Sequence, residues 1–183
     1  MASTFADVPT DAYYVKAVGA VGNGITNGKA NGLFGSNDPC TRGQIVAFLW
    51  RAAGSPAPKG AVTVPTDVLP GSYCYNAVAW AIENGITNGL ADGSFGAGGA
   101  CTRAQCVALL FRSAMANGLE AVTLQDLISG FGDAAEQPAY AVPAMNWALS
   151  SGNVQGNGGL LLSNTSCTRA QIVTFLYRAY PGK

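Results

Sequence analysis

Cys40-Thr41-Arg42-Gly43-Gln44 recurs as Cys101-Thr102-Arg103-Ala104-Gln105 and again as Cys167-Thr168-Arg169-Ala170-Gln171. The motif arginines lie 61 and 66 residues apart, and a second arginine follows each by nine residues, at Arg51, Arg112 and Arg178. Repetition at this spacing marks small units that bury a common core only together. Upstream landmarks keep the same order. Phe5-Ala6-Asp7-Val8, Thr66-Asp67-Val68 and Phe131-Gly132-Asp133-Ala134 open the units, their aspartates 35, 36 and 36 positions before the motif arginines. Between them lie Gly24-Ile25-Thr26-Asn27-Gly28, Gly85-Ile86-Thr87-Asn88-Gly89 and the looser Gly152-Asn153-Val154-Gln155-Gly156. The units span 1–53, 65–115 and 131–183, with linkers at about 54–64 and 116–130, and together form one domain.

Each unit reads as helix, loop, helix. In Tyr75-Asn76-Ala77-Val78-Ala79-Trp80-Ala81-Ile82-Glu83, apolar positions 78, 79 and 82 share one helical face. Asn84-Gly85 stops that helix, because glycine suits the left-handed C-cap. A Gly-rich loop follows, and the second helix starts at the repeated threonine. Gly54-Ser55-Pro56-Ala57-Pro58-Lys59-Gly60 reads as an extended, turn-rich linker.

The motif is a helix start. Thr41 fits the N-cap, and Gln44 at N3 completes a capping box. Cys40 at N′ and Ile45 at N4 match a hydrophobic staple, as do Cys167 and Ile172. In the second unit the staple positions are Cys101 and Cys106, which brings two sulfurs together. These cysteines fit small apolar staple residues; a Cys101–Cys106 disulfide, or Cys74 competing for Cys106, is the alternative in an oxidising compartment. Five cysteines cannot all pair internally. A metal site is not expected, since the motif thiols belong to separate units and His is absent.

Arg42, Arg103 and Arg169 each fall at N1, where the helix dipole disfavours positive charge. At about 100° per residue, Arg42 lies near the azimuth of Leu49, within the apolar arc of Ile45, Val46, Phe48 and Leu49. A guanidinium beside orphan backbone N–H groups is one expectation, an anion site. The other is structural: each arginine pairs with a repeated aspartate (Asp7, Asp67, Asp133) or with loop carbonyls, locking neighbouring units together. Under the anion reading, replacing Arg42 or Arg103 by Ala barely changes stability.

The totals narrow the classes. Of 183 residues, 49% are hydrophobic and 11% charged, and ten Lys+Arg balance ten Asp+Glu, so a core is available but no long-range field draws in nucleic acid or anionic membrane. No run of about 18 apolar residues spans a bilayer. Met1-Ala2-Ser3-Thr4 opens no basic-then-apolar leader, the pattern expected of a recombinant mature fragment. Without His, the commonest general base is missing.

The ordered landmarks resemble S-layer homology domains, whose hallmarks are an Asp-Val opening, a Trp-bearing helix, a Gly-Ile-x-x-Gly turn and a Thr-Arg-Ala-Glu helix. The likeness covers nearly the whole chain, linkers excepted. It implies a mainly α fold, three helix–loop–helix repeats in a pseudo-threefold arrangement around a central three-helix bundle, with grooves between units. It implies non-covalent anchoring of a secreted bacterial surface protein at the cell wall or S-layer. The implied partner is a secondary cell-wall polysaccharide, often ending in a pyruvate ketal on N-acetylmannosamine whose carboxylate meets the motif arginine. Carried over, the ligand-binding residues are Arg42, Arg103 and Arg169, Thr41, Thr102 and Thr168, Gly28, Gly89 and Gly156, and Trp80 and Trp147. The two tryptophans fit either sugar stacking or core.

Departures make the grooves unequal. The family's Glu is Gln44, Gln105 and Gln171, which keeps the cap but removes a negative charge beside arginine. Gly19 stands where the first Trp is expected, and Lys29 has no counterpart. Gly159-Leu160-Leu161-Leu162 replaces a loop of the Asp92-Gly93-Ser94-Phe95 type. The better polar loops favour a groove built from units one and two. The leucine run also suits a protein-interaction module, the second reading.

No enzyme is expected. A glycosidase needs two carboxylates about 5–10 Å apart. Among the acids, which include Glu120, only Asp38 and Asp92 qualify, and loop solvation explains both. No nucleophile elbow, Cys/His pair or phosphate loop occurs. A monomer with no cofactor, no metal, no nucleic-acid partner and no membrane partner is expected.

Overall fold

The computed structural model describes residues 5–21, 24–60, 62–119 and 125–180. Met1–Thr4, Glu120 and residues 120–124 of the second linker lie outside them. The chain is mainly helical, with six α-helices and no strand among the described residues. They are α1 (Val15–Val21), α2 (Arg42–Ala52), α3 (Tyr75–Glu83), α4 (Arg103–Ala116), α5 (Val142–Ser150) and α6 (Arg169–Ala179).

The capping expectation holds in every unit. The hydroxyls of Thr41, Thr102 and Thr168 accept from the amides of Gln44, Gln105 and Gln171, and each glutamine side chain accepts from the threonine amide. The box therefore fixes where α2, α4 and α6 begin. Asn84 caps α3, and Gly85 follows at φ +66°, as the sequence requires. Helix α4 outruns α2 because Ser113-Ala114-Met115-Ala116 continues it where Ala53-Gly54 ends α2.

The first helix of each unit packs on the second helix of another unit. α3 lies against α2, α5 against α4, and α1 against α6, so the first and last helices meet. α2 also touches α4 and α6. One core runs through all three units, with Phe34, Ile45, Leu49, Phe95, Leu110, Leu161 and Leu176 among its buried side chains. At its hub the repeated cysteines close a ring of backbone bonds. The Cys40 amide donates to Cys167 at 2.8 Å, Cys101 to Cys40 at 2.9 Å, and Cys167 to Cys101 at 2.8 Å. All five cysteines are buried free thiols. The paired staple sulfurs do meet: the Cys106 thiol hydrogen-bonds that of Cys101 and pulls its pKa down.

The linkers are tied back. Trp50 Nε1 donates to the Pro56 carbonyl at 2.8 Å and the Lys59 amide to Glu83 at 2.9 Å. After the second linker, Asn146 accepts from the amides of Leu127 and Ile128, and Ile128 enters the core.

Candidate functional site

The repeated aspartates organise the loops that face the motif arginines. Asp7 accepts from the amides of Phe34 and Gly35, both at 2.7 Å. Asp67 does the same for Phe95 and Gly96, and Asp133 for Leu161 and Leu162. A carboxylate accepting two amides is stabilised in its charged form. The Asp67 pKa is lowered mainly by its Phe95 and Gly96 bonds. At Asp7 and Asp133 partial burial pushes upward, but the loop amides outweigh it and the net shift is down.

Each motif arginine clasps the other side of such a loop, one unit on. Arg42 Nε donates to the Phe95 carbonyl at 2.9 Å, Arg103 Nε to Leu161 at 2.9 Å, and Arg169 Nε to Phe34 at 2.8 Å. The arginines thus pair with loop carbonyls and not directly with the aspartates. All three are buried, and none makes an ion pair among the described residues. Aromatic faces take up part of their charge: Arg42 lies over Phe95 at 5.1 Å, Arg103 over Phe175 at 5.3 Å, and Arg169 between Phe34 and Phe48 at 5.0 and 5.5 Å. Burial lowers the Arg169 pKa, yet a guanidinium stays charged in water at any ordinary pH.

The expected anion site on the helix N-termini is corrected. The N1 amides of Arg42, Arg103 and Arg169 donate to Gly99, Thr165 and Asp38 carbonyls, and the N2 amides to Ala97, Ser163 and Ser36. The threonine hydroxyls take the N3 amides. Inter-unit bonding thus uses the donors that would have met an anion. Thr41, Thr102 and Thr168 act as caps, and Tyr73 and Tyr140 hydrogen-bond Thr41 and Thr102.

Two matching grooves open beside this clasp. The larger, about 480 Å³, is walled by Arg103, Gln155, Gly156, Asn157, Leu162, Gln171, Thr174, Phe175, Arg178 and Tyr13. The other, about 270 Å³, is walled by Arg169, Thr26, Asn27, Gly28, Gln44, Ala47, Phe48, Arg51 and Tyr73. Most of their wall positions correspond, Tyr13 to Tyr73, Arg103 to Arg169, Gly156 to Gly28 and Phe175 to Phe48 among them, whereas Asn157 and Leu162 line the larger alone and Thr26 the smaller alone. Each holds two guanidiniums and no carboxylate, since Gln171 and Gln44 occupy the N3 sites. The larger takes most of its wall from unit three, with Tyr13 from unit one and Arg103 from unit two, where the loop sequences had favoured units one and two.

Arg103 has more capacity left than its counterparts. Arg42 and Arg169 also contact Thr87 and Thr26 through Nη2, each at 3.5 Å. Val154 holds that position in unit three, so Nε is the one side-chain donor of Arg103 bonded among the described residues. Arg178 donates to the Asn153 carbonyl at 3.2 Å and Arg51 to Ile25 at 3.0 Å, which holds each turn against its helix.

Gly28 and Gly156 line the grooves at φ +73° and +74°, and a Cβ there would press on the carbonyls of Leu33 and Leu160 at 2.8 and 2.9 Å. Gly89 has the same geometry against Ser94. Trp80 and Trp147 lie in the core, Trp147 against Phe111 at 5.4 Å, and neither lines the two grooves. Sequence reading missed Tyr13 and Tyr73 on the groove walls. With Tyr140 they recur six or seven residues after the opening aspartates, and that offset was the available signal.

The S-layer homology domain family matches residues 4–46 and 66–105. The chain is an S-layer homology domain protein. Such domains anchor surface proteins to cell-wall polymers. The matches cover the first two units, and no curated protein matches the chain. In this S-layer homology protein each motif arginine joins one unit to the next, and Arg103 and Arg169, but not Arg42, also line a described groove.

Proposed function

We propose that this protein binds an anionic secondary cell-wall polysaccharide in its inter-unit grooves and so holds a bacterial surface protein at the wall without a covalent bond. The observation that carries the reading is the pairing of Arg103 with Arg178, and of Arg169 with Arg51, on groove walls that contain no acid. Fixed guanidiniums in a concave, partly apolar site favour carboxylate-bearing sugars. A pyruvate ketal would supply such a group.

On this reading the third unit is a diverged repeat and the units turn about a pseudo-threefold axis. The closed ring through Cys40, Cys101 and Cys167 supports that arrangement. The protein is exported, monomeric and without catalytic activity. Asp38 pairs with Lys29 at 2.7 Å and Asp92 binds its own loop at Ser94, which fits loop roles for both.

A protein-partner reading would need the leucine run as an exposed patch. Leu161 is fully buried and Leu162 lines the groove, which leaves Leu160 as the exposed member.

Co-sedimentation with purified sacculi tests the proposal. Binding is expected to disappear once the secondary polysaccharide is stripped from the peptidoglycan. Binding that survives stripping would refute it.

A further inference from the structure

Leu162 has φ +55°, a left-handed conformation rarely taken by residues with a Cβ. The corresponding residues are Gly35 at φ +72° and Gly96 at φ +69°. All three follow the residue whose carbonyl the motif arginine clasps. All three donate their amide to the second oxygen of the unit's aspartate. The backbone is therefore the same, and only unit three places a side chain on it.

In the other units a side chain there would displace a neighbour: a Cβ on Gly35 would meet Asp38 Oδ2 at 2.5 Å and Lys29 Cδ at 2.8 Å, and one on Gly96 would meet Leu90 Cδ1 at 2.8 Å. Lys29 and Leu90 each follow the turn glycine, and unit three has the shorter Asn157 there. Nothing in the clasp requires leucine, because glycine serves it twice. A strained residue retained on a cavity wall points to a role in the cavity. Leu162 faces the 480 Å³ groove together with Phe175, Tyr13, Arg103 and Arg178.

We infer that Leu162 sets the specificity of this groove, making it prefer acidic sugars that carry an apolar substituent over bare uronic acids. The inference rests on the anionic-glycan reading above and narrows its ligand class for one groove. The Arg169 groove, with Gly35 at the same place, makes no such distinction.

The test uses two soluble probes, N-acetylmuramic acid (carboxylate with methyl groups) and glucuronic acid (carboxylate alone). Amide NMR shifts follow Gly156 and Asn157 for one groove, and Asn27 and Gly28 for the other. The Arg103 groove should prefer N-acetylmuramic acid by at least about fourfold, the ratio for one buried methyl group. The Arg169 groove should show no preference. Leu162→Gly should abolish the preference while thermal stability holds or rises, since glycine relieves the strain. Leu162→Asn, which tolerates the backbone but is polar, should abolish it too. A preference that persists in both variants, or equal ratios in the two wild-type grooves, overturns the inference. So does failure of both sugars to bind the Arg103 groove. If sacculus binding stays polysaccharide-dependent in any of these cases, only the role of Leu162 has failed.

Discussion

The Nε of Arg103 donates to the carbonyl of Leu161 at 2.9 Å, joining the start of α4 to a loop 58 residues on. Asp133 holds the amide of the same leucine at 2.8 Å. One loop residue is therefore fixed from both sides by opposite charges that never touch. Arg103→Ala leaves the buried carbonyl unsatisfied and removes the contact with Phe175. It should cost about 1.5–3 kcal/mol, the range for a charged hydrogen bond. Urea unfolding with an unchanged m-value would show it. The expectation that stability barely moves is replaced, because the arginine is 7% exposed and part of the fold.

Thr102→Ala should cost about 1 kcal/mol through loss of the cap. Calorimetry would register this as a lower Tm, with helix content at low temperature unchanged.

Gln171 shows how cap and groove can be separated. It accepts from the Thr168 amide at 3.1 Å and also lines the larger groove. Gln171→Glu keeps the acceptor and adds negative charge near a helix N-terminus, so stability should hold or gain a few tenths of a kcal/mol. Binding of an acidic glycan should weaken, because the new carboxylate competes for Arg103 and Arg178. Thermal melts and sacculus sedimentation on the same sample would separate the two effects.

Acid should unfold the protein through its loop aspartates. Asp7, Asp67 and Asp133 all lie below their ordinary value of 3.8 in the folded state. Below about pH 5 the unfolded chain binds more protons than the folded one, so stability falls with pH. Their contribution is complete above the unfolded value and is lost as pH drops through the folded values. With no His in the chain, stability should be flat between about pH 5 and 7 and decline below about pH 4. Urea midpoints across that range would check the shape.

The legible parts of this fold were the local ones. Thr41 and Gln44 lie three residues apart, and the capping box they form is as short-range in the chain as in space. Gly85 could be placed as a helix stop for the same reason. The destinations of the arginines were not legible, since Arg42, Arg103 and Arg169 reach partners 53, 58 and 135 positions away. Helix periodicity placed Arg42 on the packed side but not against the next unit's loop. The anion site expected at the helix starts failed because those amides are spent on carbonyls contributed by another unit. Groove walls drawn from non-consecutive segments hid Tyr13 and Tyr73 from any single-motif reading.

The most direct measurement is calorimetric titration of purified anionic wall polysaccharide into wild-type protein and an Arg51→Gln, Arg178→Gln double variant. Glutamine removes the charge and is too short to keep the turn-carbonyl bonds of Arg51 and Arg178, so the melting temperature should fall modestly while the fold is retained. Affinity should fall at least about tenfold, equivalent to about 1.4 kcal/mol, and the wild-type affinity should itself weaken with salt. Equal affinity for the two proteins, with no salt dependence, would contradict the claim that these grooves grip an acidic glycan.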